Sequence, residues 1–462
     1  MGIAKLYGQK ASGADINGII KDYHAYAGEN VSAGDLVEYI KGIASQRTET
    51  SSDTAIDTTK NAGSTISAVL LDESRVFIAC SMDTYVCLYG VVVTINGTKI
   101  AQGTITELNS TDYTGYTISA VLVEKDKVFI AHSSNMKTSS SNHLNGMVCT
   151  ISGTTITAGS STEISSNTYT GYSISATLLP DGNIFIAHSY GSSRYLYGTV
   201  CSISGTTITA GTTTSIYTTK QTGFSIATVV LDGARVFIAH SYETSYNLYA
   251  IVCTISGTTI TKGSSTIVAG GSNYGYCVSA ELLPNGNVFL AHSGAADHYL
   301  YGSICTISGT SITKGVTTLL VDGTYAGYVI STQLLPNGNI FVTHSHLSYL
   351  RLYGAVVVID GTNITIGEDT LFNISQYAAQ CVSSVLLPSG DVFVAHCYES
   401  SYYLYGQIWG VSNNVPTNNI TVTEYETQVR KTATSKFDGI AKTSGVGGTT
   451  TTPKDYVSIY TL

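Results

Sequence analysis

Residues 178–190, LLPDGNIFIAHSY, hold two apolar runs separated by Pro-Asp-Gly, and the second run stops on a histidine. Proline presets the first central position of a reverse turn, and Asp-Gly completes it. The flanking residues are β-branched, aromatic or aliphatic, so the stretch predicts strand, tight turn, strand. It returns as LLPNGNVFLAHSG at 282–294, LLPNGNIFVTHSH at 334–346 and LLPSGDVFVAHCY at 386–398.

Aligning the copies on the strand-ending residue gives Cys80, His132, His188, His240, His292, His344 and His396, spaced by 52 positions with one gap of 56. The longer gap falls where SSNMKTSSSNHLNG replaces SYGSSRYLYG, which places the insertion in a loop. Each unit reads as four strands: GYSISATLL, the turn, NIFIAHS, a variable loop, LYGTVCSI, the turn SGT, and TITAGTTTSIY. No helix is required. Seven such units predict an all-β fold, a seven-bladed β-propeller of four-stranded blades. The pattern resembles the kelch strand pair, with His-Ser where that family has its diagnostic Gly-Gly, so the likeness implies blade geometry and carries no function. Residues 54–68 align with an outer strand, 214–227, but precede the first complete unit. They are expected to close the ring against the last blade near Ala55 to Thr59.

Composition narrows the function. Charged residues make up 11% of the chain and its net charge is -9, with no basic run, so phosphate-backbone binding lacks its footprint and no nucleic-acid partner is expected. No apolar run reaches a membrane span, and MGIAKLYGQK lacks the core of a secretory signal, so membrane insertion is not expected and the chain is expected to fold in a cytoplasm. Among the nine cysteines, Cys149, Cys201, Cys253 and Cys305 share one slot of the repeat, filled elsewhere by Val93, Val357 and Trp409, and read as small buried hydrophobes.

The seven aligned residues invite a metal. Blades would spread the histidines around a wide circle, whereas a metal needs its ligands at about 2 Å from one point, so they are read as structural hydrogen-bonding residues and no metal or other cofactor is expected. No Gly-x-Ser-x-Gly elbow or paired carboxylates recur at the blade edges, so no catalytic residues are assigned and an enzyme is not expected. The loops after the histidines diverge: YGSSRY, YETSYN, GAADHY, HLSYLR and YESSYY. Aromatic and hydroxyl residues on short loops of a rigid scaffold suit ligand contact, and the candidates are Tyr190, Arg194, Tyr195, Tyr242, Tyr246, His298, Tyr299, Tyr349, Arg351, Tyr398 and Tyr402. The repeated Leu-Tyr-Gly tyrosines, Tyr89, Tyr197, Tyr249, Tyr301, Tyr353 and Tyr405, are expected to pack between blades.

The texture changes before residue 50 and after 430, which divides the chain into 1–50, a propeller over 51–430, and 431–462. Neither end alone is long enough to fold, so the two are expected to combine into one small β module. AGDLVEYI (33–40), DGIAKTSGVGG (438–448) and the final YVSIYTL together resemble the small β-barrel modules of tailed-bacteriophage virion proteins: head decoration, head-fibre and tail-fibre proteins. That resemblance implies a docking module shaped by Gly34, Asp35, Gly439, Ile440, Gly445 and Gly447. It further implies a non-enzymatic structural protein on the virion surface, made in the host bacterial cytoplasm, partnered by other virion proteins of capsid or tail. The propeller would then contact a host-surface glycan or simply decorate the particle. A free carbohydrate-binding lectin and a glycan-processing enzyme are the alternatives.

Overall fold

The computed structural model describes residues 53–58, 65–82, 87–110, 114–134, 143–167, 170–191, 193–219, 222–242, 247–270, 274–294, 298–346, 350–373, 381–398 and 403–410, with the backbone alone of 21–27, 36–40, 222–224, 242, 373, 398, 428–431, 439–441 and 456–461. By its internal contacts the chain divides into two compact units, Thr50–Trp409 and a second that combines Met1–Glu49 with Gly410–Leu462.

The larger unit is a seven-bladed β-propeller. In the third blade the strands are Ile174–Leu178, Ile184–Tyr190, Tyr195–Ser204 and an outer strand in two halves, Thr207–Ala210 and Thr214–Tyr217, both paired to the third. The Pro-Asp-Gly turn behaves as its chemistry requires. Gly182 takes φ 85° and its N–H donates to Leu179 O at 2.9 Å, a backbone shape that a side chain would strain. Gly286, Gly338 and Gly390 repeat it at φ 81°, 83° and 88°.

Second strands are apolar at successive positions because both their faces are covered. Ile184 and Ile186 pack toward Phe129 and Ala131 of the second blade, while Phe185 and Ala187 pack toward Val236 and Ile238 of the fourth. The shared cysteine slot joins the same layers, with Cys149, Cys201, Cys253 and Cys305 all buried and free, and burial pushes each thiol up to about 12. In the Leu-Tyr-Gly motif the glycine lies at the blade interface: a Cβ on Gly198 would stand 2.8 Å from Ile216 and 3.1 Å from Ile260 of the next blade. The tyrosines stand opposite the histidines of their own blade, as His292 with Tyr301 and His344 with Tyr353, and Tyr249 also meets the neighbouring blade as expected, its ring 5.6 Å from that of Tyr217.

A polar stitch crosses every junction of the inner strands. Ser67 Oγ accepts from Ala120 N–H (2.9 Å), Ser119 from Ala176 (3.0 Å), Ser225 from Val278 (3.0 Å), Ser331 from Ser384 (3.0 Å) and Ser383 from Ala68 (2.9 Å). Hydroxyl pairs Ser175–Thr228 (2.9 Å) and Ser279–Thr332 (2.7 Å) complete the circuit. The five bonds from a backbone N–H satisfy inner-strand amides on the axis side.

The ring closes as the misplaced outer strand implies. Thr54–Asp57 pairs antiparallel with Tyr403–Trp409, Ala55 opposite Tyr405, and supplies the outer strand of the seventh blade. Thr59, the far end of the expected closure, lies outside the described residues. This blade also carries a disulfide between Cys381 and Cys397. At the equivalent place all six other blades have a serine hydroxyl accepting a backbone N–H, such as Thr117 N to Ser133 Oγ at 3.1 Å and Val329 N to Ser345 Oγ at 3.1 Å. The covalent bond therefore replaces a hydrogen bond of the repeat.

The smaller unit holds a closed five-stranded barrel in the order Lys21–Ala27, Gln428–Lys431, Leu36–Ile40, Gly439–Ala441, Tyr456–Thr461. Leu36 stands opposite Ile440 and Lys21 opposite Thr461, so most neighbouring strands come from opposite ends of the chain. Gly439 and Ile440 sit in a barrel strand; Gly34, Asp35, Gly445 and Gly447 lie outside the described residues.

Candidate functional site

The histidine row is fully buried, and most of its rings are fixed by hydrogen bonds within their own blade. Nδ1 of His188, His292 and His344 lies 3.0, 3.0 and 2.8 Å from the carbonyl of the following serine. Nε2 meets a polar group on the third or outer strand: Ser161 Oγ at 3.3 Å from His132, Thr199 Oγ1 at 3.1 Å from His188, Ser303 Oγ at 3.1 Å from His292, Asp369 Oδ1 at 2.8 Å from His344 and Asp53 Oδ1 at 3.0 Å from His396. His240 packs between the rings of Tyr217 and Tyr249, with centroids 5.2 and 5.7 Å away. Cys80 takes the first slot and sits in an apolar cluster that includes Ile105, where other blades put the polar partner.

Burial lowers the pKa of His188, His240 and His292 to about 4, and that of His132 in the same direction, so these rings stay neutral. His344 differs: burial opposes its charge, but the Asp369 carboxylate outweighs burial and raises its pKa. Asp369 bridges His344 and His346 and is held down to about 2 against the cost of burial. Among the described residues no group of three or more His, Cys, Asp or Glu side chains is arranged to hold a metal.

A different constellation surrounds the starts of the inner strands, next to the loops between second and third strands. Tyr116, Tyr172, Tyr276 and Tyr328 each precede an inner strand by two residues. Tyr116 and Tyr172 from adjacent blades lie 6.0 Å apart; Tyr276 and Tyr328 stack at 5.0 Å with their hydroxyls 3.2 Å apart. The variable loops reach over them. The Arg194 guanidinium lies 3.9 Å over the Tyr172 ring, and His298 stands edge-on to Tyr276 at 4.7 Å and to Tyr328 at 5.8 Å. Tyr325 stacks on His298 at 6.0 Å and remains 36% exposed, while Tyr116 is 39% exposed. Arg194, His298 and Tyr325 all hold the left-handed backbone region, at φ 45°, 55° and 60°. Such strain in residues other than glycine concentrates where a fold positions a side chain for use.

The expected contact residues divide accordingly. Arg194 and His298 join the tyrosine platform. Tyr190 is half-buried, its ring stacked on Tyr197 at 4.2 Å and its hydroxyl bonded to Asn167, so it braces the blade. Tyr195, Tyr299 and Arg351 open their third strands and are half-buried. Tyr242 and Tyr398 are strand residues whose side chains are not described, and Tyr246, Tyr349 and Tyr402 lie outside the described residues. The platform tyrosines did carry a sequence signal. Each belongs to a Gly-Tyr before an inner strand, at the repeat spacing, and reads at first as strand-forming sequence.

One acid also stands out in the inner ring. At the position filled by Val69, Val121, Val229 and Gln333 in other blades, the fifth blade has Glu281. Burial raises its pKa to about 8 against the opposing hydrogen bonds of Thr332 Oγ1 (3.2 Å) and the Leu334 backbone.

No protein-family model and no curated protein matches the chain. Solved structures do resemble it. A polysaccharide lyase of family PL25, an ulvan lyase bound to a glucuronate-rhamnose sulfate fragment, superposes with TM-score 0.50 at 9% identity, covering 83% of this chain and 96% of its own. The Aleuria aurantia lectin in complex with α-methyl-L-fucoside gives 0.43 at 15%, covering 69% and 97%. The NanB sialidase of Streptococcus pneumoniae gives 0.44 at 13%, covering 81% and 71%. At such identity the first likeness speaks for the fold alone.

Proposed function

We propose that this chain is a non-enzymatic display protein of a tailed-phage particle, docked by its small barrel and offering the tyrosine platform of its propeller to host-surface glycans. The observation that carries the glycan part is the cluster of Tyr276, Tyr328, His298 and Tyr325 across the junction of the fifth and sixth blades. Aromatic faces take up the C–H face of a pyranose, and the nearby hydroxyls and imidazole suit hydrogen bonds to its hydroxyl groups. A rigid scaffold that holds these rings in place limits the entropy lost on binding. The docking part rests on the terminal resemblance and on a barrel whose strands come from both chain ends.

A glycan array probed with the full chain tests the first part: binding is expected, and Tyr276→Ala with Tyr328→Ala should remove most of it. No binding, or binding indifferent to both substitutions, would overturn it. Mass spectrometry of purified phage particles tests the second, with the chain expected among the virion proteins and its absence sinking the display role. Turnover of any bound polysaccharide, read as new reducing ends or unsaturated uronates, would replace the binding role with an enzymatic one.

A further inference from the structure

Three blades place a residue other than glycine in the left-handed region at one and the same point, immediately before the third strand. They are Arg194 (φ 45°), His298 (55°) and Leu350 (48°), followed by strands that begin at Tyr195, Tyr299 and Arg351. A Cβ in this region crowds the following carbonyl and costs free energy that glycine would avoid. Glycine is available in the same loops, as Gly191 at φ 72° shows. The strained backbone gives these three side chains a fixed aim, and their chemistry differs: a cation, an imidazole and an aliphatic group.

The best defined of the three is Arg194. Its guanidinium carbon lies over the Tyr172 ring, 3.9 Å from the centroid, and Tyr172 adjoins Tyr116 of the preceding blade. A stacked guanidinium uses its face for the ring and keeps its N–H groups in the plane, where they match the two oxygens of a carboxylate or a sulfate. The net charge of -9 repels polyanions at long range, so recognition of an anionic group must be local and within a Debye length of about 8 Å.

We infer that the residue preceding the third strand sets the specificity of the binding face, and that the Arg194 subsite on Tyr116 and Tyr172 takes a sugar bearing a carboxylate or sulfate group. The inference rests on the glycan reading above and narrows it to acid-bearing glycans, with the His298 and Leu350 positions contacting uncharged neighbouring residues of the same chain.

The decisive variant is Arg194→Gly, because it relieves the backbone while removing the cation. Its melting temperature is expected to equal or exceed that of the parent, which separates loss of binding from loss of fold. On an array holding matched native, carboxyl-reduced and desulfated glycans, the parent should favour acid-bearing members, and whichever treatment abolishes binding identifies the anion. Arg194→Gly should weaken those members by about tenfold or more and change neutral ones less than twofold, while Arg194→Lys should retain part of the preference. Unchanged binding of acid-bearing glycans by Arg194→Gly would overturn the inference. So would a hit list of neutral glycans that still depends on Tyr276 and Tyr328, which leaves the glycan reading standing. An array without hits overturns both.

Discussion

His396 Nε2 lies 3.0 Å from an Asp53 carboxylate oxygen although 343 positions separate them in sequence. The contact fastens the buried second strand of the seventh blade to the strand that arrives from the beginning of the propeller. Asp53→Ala leaves the fully buried imidazole without that partner, and a loss of about 2 kcal/mol is expected from breaking a charge-assisted bond at a buried site. Chemical denaturation of the full chain measures it; an unchanged midpoint would show that closure does not depend on this pair.

The Cys381–Cys397 disulfide stands where the first blade has Thr65 and Ser81, joined through Thr65 N and Ser81 Oγ at 3.4 Å. Cys381→Thr with Cys397→Ser should therefore fold, using the hydrogen bond of the other blades. The link closes a loop of 16 positions, for which chain entropy gives about 3 kcal/mol. Reductant should lower the melting temperature of the parent toward that of the double variant and leave the variant unmoved. Equal melting of all four samples would show that the bond contributes nothing to closure.

Acid should destabilise the propeller before its surface carboxylates protonate. His188, His240 and His292 have folded pKa values near 4 and unfolded values near 6.5, so between these limits the unfolded chain binds more protons and stability falls as pH falls. Each contributes a slope of up to about 1.4 kcal/mol per pH unit. His344 runs the other way. Its raised pKa adds stability that is full below about 6.5 and lost as pH rises through the folded value, while the depressed Asp369 loses its share only on going from about 4 toward 2. Urea midpoints measured from pH 7.5 to 4.5 should decline, and His240→Phe should flatten the decline by one histidine's share. A flat profile for the parent would contradict neutral burial of these rings.

Glu281 resists ionisation, so its folded pKa near 8 makes it a liability that grows as pH rises above about 4.5. Glu281→Gln, which copies Gln333 of the next blade, should stabilise the chain at pH 7.5 and have no effect at pH 4. Stability curves at the two pH values check this, and destabilisation at pH 7.5 would mean that the carboxylate is needed in its charged form.

The propeller was legible because one constraint repeats seven times. A second strand covered on both faces must be apolar throughout, a two-strand turn must carry its turn residues, and the 52-residue spacing exposes both. The closing strand was legible for the same reason, as an outer strand out of place. The disulfide was not. Cys381 and Cys397 fall outside the shared cysteine slot, and only the strand register that pairs Val382 with His396 brings them together. The platform was legible in part, through its recurring Gly-Tyr pairs and the loop residues Arg194 and His298, but its backbone strain was not. Glycine announces a left-handed backbone, whereas Arg194, His298 and Tyr325 adopt one without any local signature.

The pairing of second-strand residues with partners late in the same repeat bears on how such a chain can be copied and recombined. Cys80 goes with Ile105, His132 with Ser161 and His344 with Asp369, each inside one blade. A duplication or crossover joined between the outer strand and the next inner strand carries these couples whole, parting only His240 from Tyr217 of the preceding blade. A joint inside a blade would set an aspartate against a cysteine or an isoleucine against a histidine, and would bury the mismatch. Only His396 finds its partner at the far end of the sequence, so internal copies can be gained or lost while the first and last segments must be inherited together.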